Sequence, residues 1–226
     1  RYGLIRSVTR YDASGPPGGQ ITQTLYDYDA HARQIRLTDA RNGTTTYEYN
    51  NADQVQSVAA PGASGAIELT VSTFDNLGRL IARQEPDRTT VTFKYFPTGL
   101  LKAAAGSRTY PVEYTYDAHG RLRTLRTMRS FVGWGGWNNT SLVGSGSATT
   151  RWNYHPYRGW LASKDYPDPV TGSPPALPGT TGPRYEHTPG GRLRSRTWLR
   201  QGTDSQRLVT TYTYGFDGPA GIGQSL

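Results

Sequence analysis

One unit recurs along this chain, and it leaves little freedom in what the chain can fold into. Its fullest copy is Tyr114-Thr115-Tyr116-Asp117-Ala118-His119-Gly120-Arg121-Leu122. A second copy, Thr73-Phe74-Asp75-Asn76-Leu77-Gly78-Arg79-Leu80, lies 42 residues earlier, and Phe93-Lys94-Tyr95-Phe96-Pro97-Thr98-Gly99-Leu100 stands midway between them. Weaker copies centre on Tyr28, Tyr49, Tyr154, His187 and Tyr214, with a fragment at Tyr11-Asp12-Ala13-Ser14-Gly15. Taking the second aromatic position as the anchor gives 28, 49, 74, 95, 116, 154, 187 and 214, hence intervals of 21, 25, 21, 21, 38, 33 and 27. The basic period is about 21, and the longer intervals carry insertions. Four residues after the anchor stand Gly78, Gly99, Gly120, Gly191 and Gly218, and Gly15 in the fragment. A fixed period of this length marks a repeat architecture built from one small unit.

The unit reads as a β-hairpin. Asp117 and Gly120 are three apart, which suits the first and fourth positions of a type I turn. The Asp side chain can hold the backbone two residues on, and Gly accepts a positive φ. Ahead of the turn Val112, Tyr114 and Tyr116 alternate onto one face. Twenty-one residues hold two strands and two short connections, with no room for a helix. A lone hairpin is marginal in water, so successive units must pair edge to edge. The expected fold is all-β: consecutive antiparallel hairpins forming a curled, spiralling sheet, with eight to nine hairpins in a single array over residues 1–226. Composition agrees, since 16 Tyr, 5 Trp and 5 Phe supply the burial that a chain with 35% hydrophobic residues otherwise lacks. Ala32 and Asp53 stand where the turn Gly is expected, and altered turns are expected there.

These residues resemble the YD-repeat, or Rhs-repeat, family, whose pattern is Tyr-x-Tyr-Asp-x-x-Gly-Arg-Leu at a period near twenty. The resemblance covers roughly residues 2–218. It implies a hollow β-shell or tube, which in bacterial Rhs proteins and insecticidal toxin complexes encloses a C-terminal toxic domain and in teneurin-type receptors carries adhesion. A complete shell needs more repeats than this chain holds, so the chain is expected to be a segment whose partners are flanking YD repeats of the same or neighbouring chains, and an enclosed toxin. A secreted or cell-surface bacterial location follows from the same resemblance. The sequence opens on Arg1, and neither a start Met nor a signal peptide is visible in it, as expected of a segment.

Two stretches break the period, at about 129–150 and 165–184, and their Gly, Ser and Pro content reads as inserted loops. Trp134 and Trp137, flanked by glycines, are the candidate ligand contacts, for a glycan or as a cap folded over the sheet. Tyr166-Pro167-Asp168-Pro169 faintly resembles the region where toxin-releasing relatives cut themselves, but further repeats follow it and a Pro-rich loop is the better account. The structural repeat anchors are Tyr28, Tyr49, Phe74, Tyr95, Tyr116, Tyr154 and Tyr214, with turn glycines Gly78, Gly99, Gly120 and Gly191.

Chemistry is otherwise thin. With no Cys there is no disulfide, thiol nucleophile or Cys-based metal site. The four histidines have no metalloprotease spacing, and His31 and His119 share one turn position. No nucleophile elbow or dinucleotide fingerprint is present. No catalytic residue, metal or cofactor is expected, and the chain reads as non-enzymatic. No window is long and apolar enough for a membrane span. The net charge of +8 comes from 25 basic against 17 acidic residues, but the Arg residues are dispersed and several follow a turn Gly, so nucleic acid is disfavoured. Stacked aromatics between adjacent hairpins are expected to build the wall. Two further readings remain open: assembly through unpaired end strands into filaments, and a carbohydrate-binding surface on Trp134 and Trp137.

Overall fold

The computed structural model describes residues 3–16, 18–63, 65–201 and 207–215. Sixteen antiparallel strands follow one another in chain order in one open sheet, and the only helical element among the described residues is a single 3-10 turn at Trp137–Asn139. The strands group into two compact units, residues 1–93 with 106–109 and residues 94–105 with 110–226.

The first unit contains β1 (Ser7–Tyr11), β2 (Gln20–Tyr28), β3 (Gln34–Asp39), β4 (Gly43–Tyr49), β5 (Val55–Pro61), β6 (Ile67–Phe74), β7 (Leu80–Gln84) and the start of β8 (Thr90–Tyr95). None of its described residues is buried. Aromatic and β-branched residues alternate with Thr, Ser and charged residues along each strand, so both faces are half-wetted and no second layer forms. Such a sheet rests on its ladders and on cross-strand pairs such as Thr38–Thr44, whose hydroxyls lie 3.1 Å apart.

The second unit contains the end of β8, most of β9 (Leu101–Gly106), β10 (Thr109–Tyr116), β11 (Leu122–Gly135), β12 (Ser141–Tyr154), β13 (Leu161–Asp165), β14 (Arg184–His187), β15 (Leu193–Gln201) and β16 (Arg207–Thr211). Its core is small: Ala103, Ala105, Met128 and Leu142, with Phe131 and Trp134 packed against it.

Residues 129–150, expected to loop off the sheet, instead prolong one hairpin. β11 and β12 each run 14 residues and pair from Thr124↔Arg151 to Gly135↔Ser141. The glycines that suggested a loop serve close approach of the two strands: a Cβ on Gly144 would lie 1.9 Å from the Ser130 carbonyl oxygen. Residues 166–183 contain no strand, and this segment lies beside β12, where the Thr149 N–H donates to the Gly172 carbonyl at 2.8 Å. Asp165 fastens it. This carboxylate is fully buried, accepts from Arg151 (3.1 Å), Asn153 (2.7 Å) and the Thr180 N–H (3.0 Å), and is the hub between β12, β13 and the segment. Burial pushes its pKa up, but the bonds from Gly179, Asn153, Arg151 and Thr181 outweigh that and hold it below the usual carboxylate range.

Candidate functional site

The features that repeat are the junctions between one hairpin and the next, and each is built from the turn outward. In the Asp117 turn the Asp117 N–H donates to the Arg121 carbonyl (2.9 Å) and the Gly120 N–H to the Asp117 carbonyl (3.0 Å). This is a type I turn closed by a left-handed residue. The same pair of bonds closes the turns at 29–33, 50–54, 75–79, 96–100 and 188–192. In the hairpins closed by the turns at 29–33, 50–54, 75–79, 117–121 and 188–192 the register slips at the anchor position, as at Thr115/Tyr116 and Glu48/Tyr49.

Ala32 and Asp53 do not alter their turns. Both are held at positive φ, 67° and 60°, beside 77° at Gly78, 89° at Gly99, 75° at Gly120 and 87° at Gly191. The turn bonds fix the backbone, and the side chain bears the strain.

The Asp that follows the anchor does two jobs. In the Asp117 turn, Oδ1 accepts the N–H groups of His119 (2.9 Å) and Arg121 (3.0 Å), while Oδ2 accepts from Arg121 Nε at 2.6 Å. Asp29–Arg33 and Asp75–Arg79 repeat this geometry. For Asp117 partial desolvation pushes the carboxyl up, but the bonds from Arg121 and His119 prevail and lower it. Asp29 behaves alike, and at Asp75 the bonds from Arg79 dominate outright.

The oriented Arg then reaches the next hairpin. Arg33 lies 4.6 Å over the ring of Tyr49, Arg121 lies 4.4 Å over Tyr154, and Arg192 lies 5.2 Å over Tyr214. The covered anchor donates its hydroxyl back to the first strand residue after the earlier turn: Tyr49 to Gln34 O (2.7 Å), Tyr154 to Leu122 O (2.8 Å) and Tyr214 to Leu193 O (2.8 Å). Tyr116 bonds Leu101 O and Tyr28 bonds Ile5 O, each at 2.9 Å. Desolvation raises the Tyr49, Tyr116 and Tyr154 phenols, which keeps them donors.

Members of this relay are replaced singly or together: Thr188 stands in for the Asp while Arg192 and Tyr214 keep their contact. Asn50 and Gln54 replace Asp and Arg ahead of Phe74, which has no hydroxyl, and Gln54 Nε2 instead donates to Gly78 O at 2.7 Å. Phe96 and Leu100 replace the ion pair ahead of Tyr116, and Phe96 meets Tyr116 edge to face at 6.0 Å. That is the expected aromatic stacking, but the Arg-over-Tyr contact recurs more often.

These contacts place the anchors named from sequence. Tyr28, Tyr49, Tyr116, Tyr154 and Tyr214 each reach a neighbouring carbonyl, and Phe74 and Tyr95 are the last residues of β6 and β8. Trp134 lies within β11 and is half-buried, with Phe131 5.4 Å away and the Lys94 ammonium 5.3 Å from its ring. Trp137 opens the 3-10 turn, and its side chain lies outside the described part of the structure, as do Gly218 and the final turn at 216–219. Asp168 caps its own turn through the N–H groups of Val170 (2.9 Å) and Thr171 (2.8 Å). The turn Arg residues were missed as working parts. Their signal was their fixed place five after the anchor. Asp165 had no local signal at all.

Among the described residues, no group of three or more His, Asp or Glu is placed to hold a metal, and no helix is long and apolar enough to cross a membrane. The junctions thus define a class of protein: a hairpin array in which each turn grips the next repeat. The sequence matches the teneurin YD-shell family over residues 8–130, more than half of its length, and the chain belongs to that family. No curated protein matches it in sequence. Among solved structures it is similar to TcdB2-TccC3 without its hypervariable C-terminal region, at 17% identity and a TM-score of 0.58, over 92% of this chain. A TcdB2-TccC3-Cdc42 structure (13%, TM-score 0.46) and a Tc holotoxin pore from Photorhabdus luminescens (14%, TM-score 0.37) each align with 91% of it. The chain spans 11%, 14% and 13% of those three chains.

Proposed function

We propose that this chain is a non-enzymatic wall segment of a secreted or surface-exposed bacterial YD-repeat protein, whose β-shell encloses or presents a toxin or an adhesive function. The observation that carries this reading is the Asp–Arg–Tyr relay. It spends the motif's polar chemistry on joining each hairpin to the next, which is what a wall requires. Similarity of fold to a TcdB2-TccC3 structure supports the shell. The test is the intact mass of the native polypeptide, with sequencing of both ends and limited proteolysis. A mass far above 24.9 kDa, with an enclosed segment spared by protease until the wall is denatured, is the expected result. A mass near 24.9 kDa would overturn it.

A second reading, self-assembly, is favoured by the open strand order, in which β1 and β16 each pair on one side only among the described residues. Sedimentation that does not vary with concentration would remove it.

A further inference from the structure

Like the Asn50–Gln54–Phe74 junction, the junction after Tyr154 departs from the relay at all three positions. After Tyr154 the turn is one residue longer, and His155 takes the place of the Asp. Its Nδ1 accepts the N–H groups of Tyr157 (3.3 Å) and Arg158 (3.2 Å), the task that Oδ1 performs elsewhere. Trp160 takes the place of the Arg, and its ring lies 5.2 Å from that of His187, which occupies the anchor position. Gly191 makes room for it, since a Cβ there would come within 2.9 Å of the indole. Arg158 lies 5.2 Å over Trp160 and donates to Pro189 O at 3.1 Å, so the 155–160 turn holds the 188–192 turn through a residue whose own placement rests on His155.

We propose that this junction is an acid-sensitive joint in the array: protonation of His155 at Nδ1 turns an acceptor into a donor, cancels both turn bonds and releases the Arg158–Pro189 tie. The neutral imidazole is the form that the folded turn binds. Its contribution is therefore present while the ring is neutral and is lost when the ring is protonated. The charged and titratable groups around the ring are Tyr157 and Arg158 on its own turn, Arg121 from the preceding turn, Tyr185, Glu186 and His187 on β14, and Arg194 on β15. The guanidinium groups in this neighbourhood are those of Arg121, which is paired with Asp117, and of Arg158 and Arg194, while the carboxylate of Glu186 is already bonded to Ser195 at 2.9 Å. The Asp turns respond differently, because their carboxylates are held below the usual range and stay ionised in mild acid.

The test is amide hydrogen exchange by NMR on the whole chain between about pH 7.5 and 5, corrected for intrinsic exchange chemistry. The Tyr157 and Arg158 amides should lose protection by roughly tenfold, the weight of one hydrogen bond, while the His119 and Arg121 amides keep theirs. In His155→Asn the loss should vanish, because Asn50 already performs this task with a group that does not titrate. Should that variant fail to fold, His155→Asp serves the same purpose. An unchanged wild type would overturn the proposal. So would an equal loss in His155→Asn, or a loss abolished only by His187→Phe.

Discussion

Ala32 and Asp53 sit in a backbone region that suits Gly, and the cost is local to each residue. The Ala32 methyl, exposed and held at φ 67°, contributes strain without burial in return. Ala32→Gly is therefore expected to stabilise the protein by about 1 kcal/mol, the left-handed penalty less the entropy Gly brings to the unfolded chain. A rise in the urea midpoint at constant slope is the check. Gly120→Val runs the other way. The nearest atom to a Cβ there is Leu100 Cδ1 at 4.0 Å, so space is available and the expected loss of roughly 1–3 kcal/mol is a backbone cost. An unchanged melt would refute the turn geometry. Asp87 offers a residue-scale test of charge. Its Oδ1 accepts the Thr89 hydroxyl (2.6 Å) and N–H (3.0 Å), and Arg108 adds a bond at 2.6 Å to Oδ2, lowering the carboxyl from 3.8 to about 2. A depressed carboxylate stabilises fully above its unfolded value. Stability from this group is thus expected to be lost as pH falls from about 4 towards 2, and an NMR titration of the carboxylate should place its midpoint near 2.

Joined end to end, these residues turn hairpins into an array, and the junction is the unit on which an element-scale substitution acts. Tyr49→Phe removes the donor to Gln34 O and should cost about 1 kcal/mol in chemical denaturation, one hydrogen bond to a carbonyl left half-exposed. The ring itself is no obstacle, because Phe74 occupies the same place once Gln54 carries the tie to Gly78. In a double-mutant cycle on Arg121 and Tyr154, a coupling of about 0.5–1 kcal/mol is expected, and zero coupling would reduce the stacked pair to proximity. Much of this element was legible in the chain. Asp117 and Gly120 three apart predict the turn, and a 21-residue spacing predicts pairing in chain order. The grip of Arg121 on Tyr154 was not legible, because the two are 33 residues apart and meet only after the bulge at Tyr116 sets their positions. Nor was the long β11–β12 hairpin, since Gly144 is punctuation in a sequence but a close approach in a sheet.

At the scale of the whole molecule, the two units differ in how they are held. The first buries none of its described residues and relies on ladders, Thr pairs and junctions that water can reach. The second adds the core around Met128 and Leu142, and the Asp165 hub that fastens the 166–183 segment to β12 and β13. No feature of the period forecasts this difference: it comes from the two insertions, which supply residues that fold onto the array or beside it. Water-exposed ladders open locally at low cost, whereas an opening that exposes packed apolar groups and a buried carboxylate must undo them together. Native-state hydrogen exchange should therefore show lower opening free energies for amides in β3 to β6 than for those in β11 to β13. In Asp165→Asn the protection of β12 and β13 should fall while that of β3 to β6 stays unchanged, because a neutral amide cannot accept from Arg151, Asn153 and the Thr180 N–H as the carboxylate does. Equal protection across both units in the wild type would mean that the repeat junctions, rather than the core, set the stability of every strand.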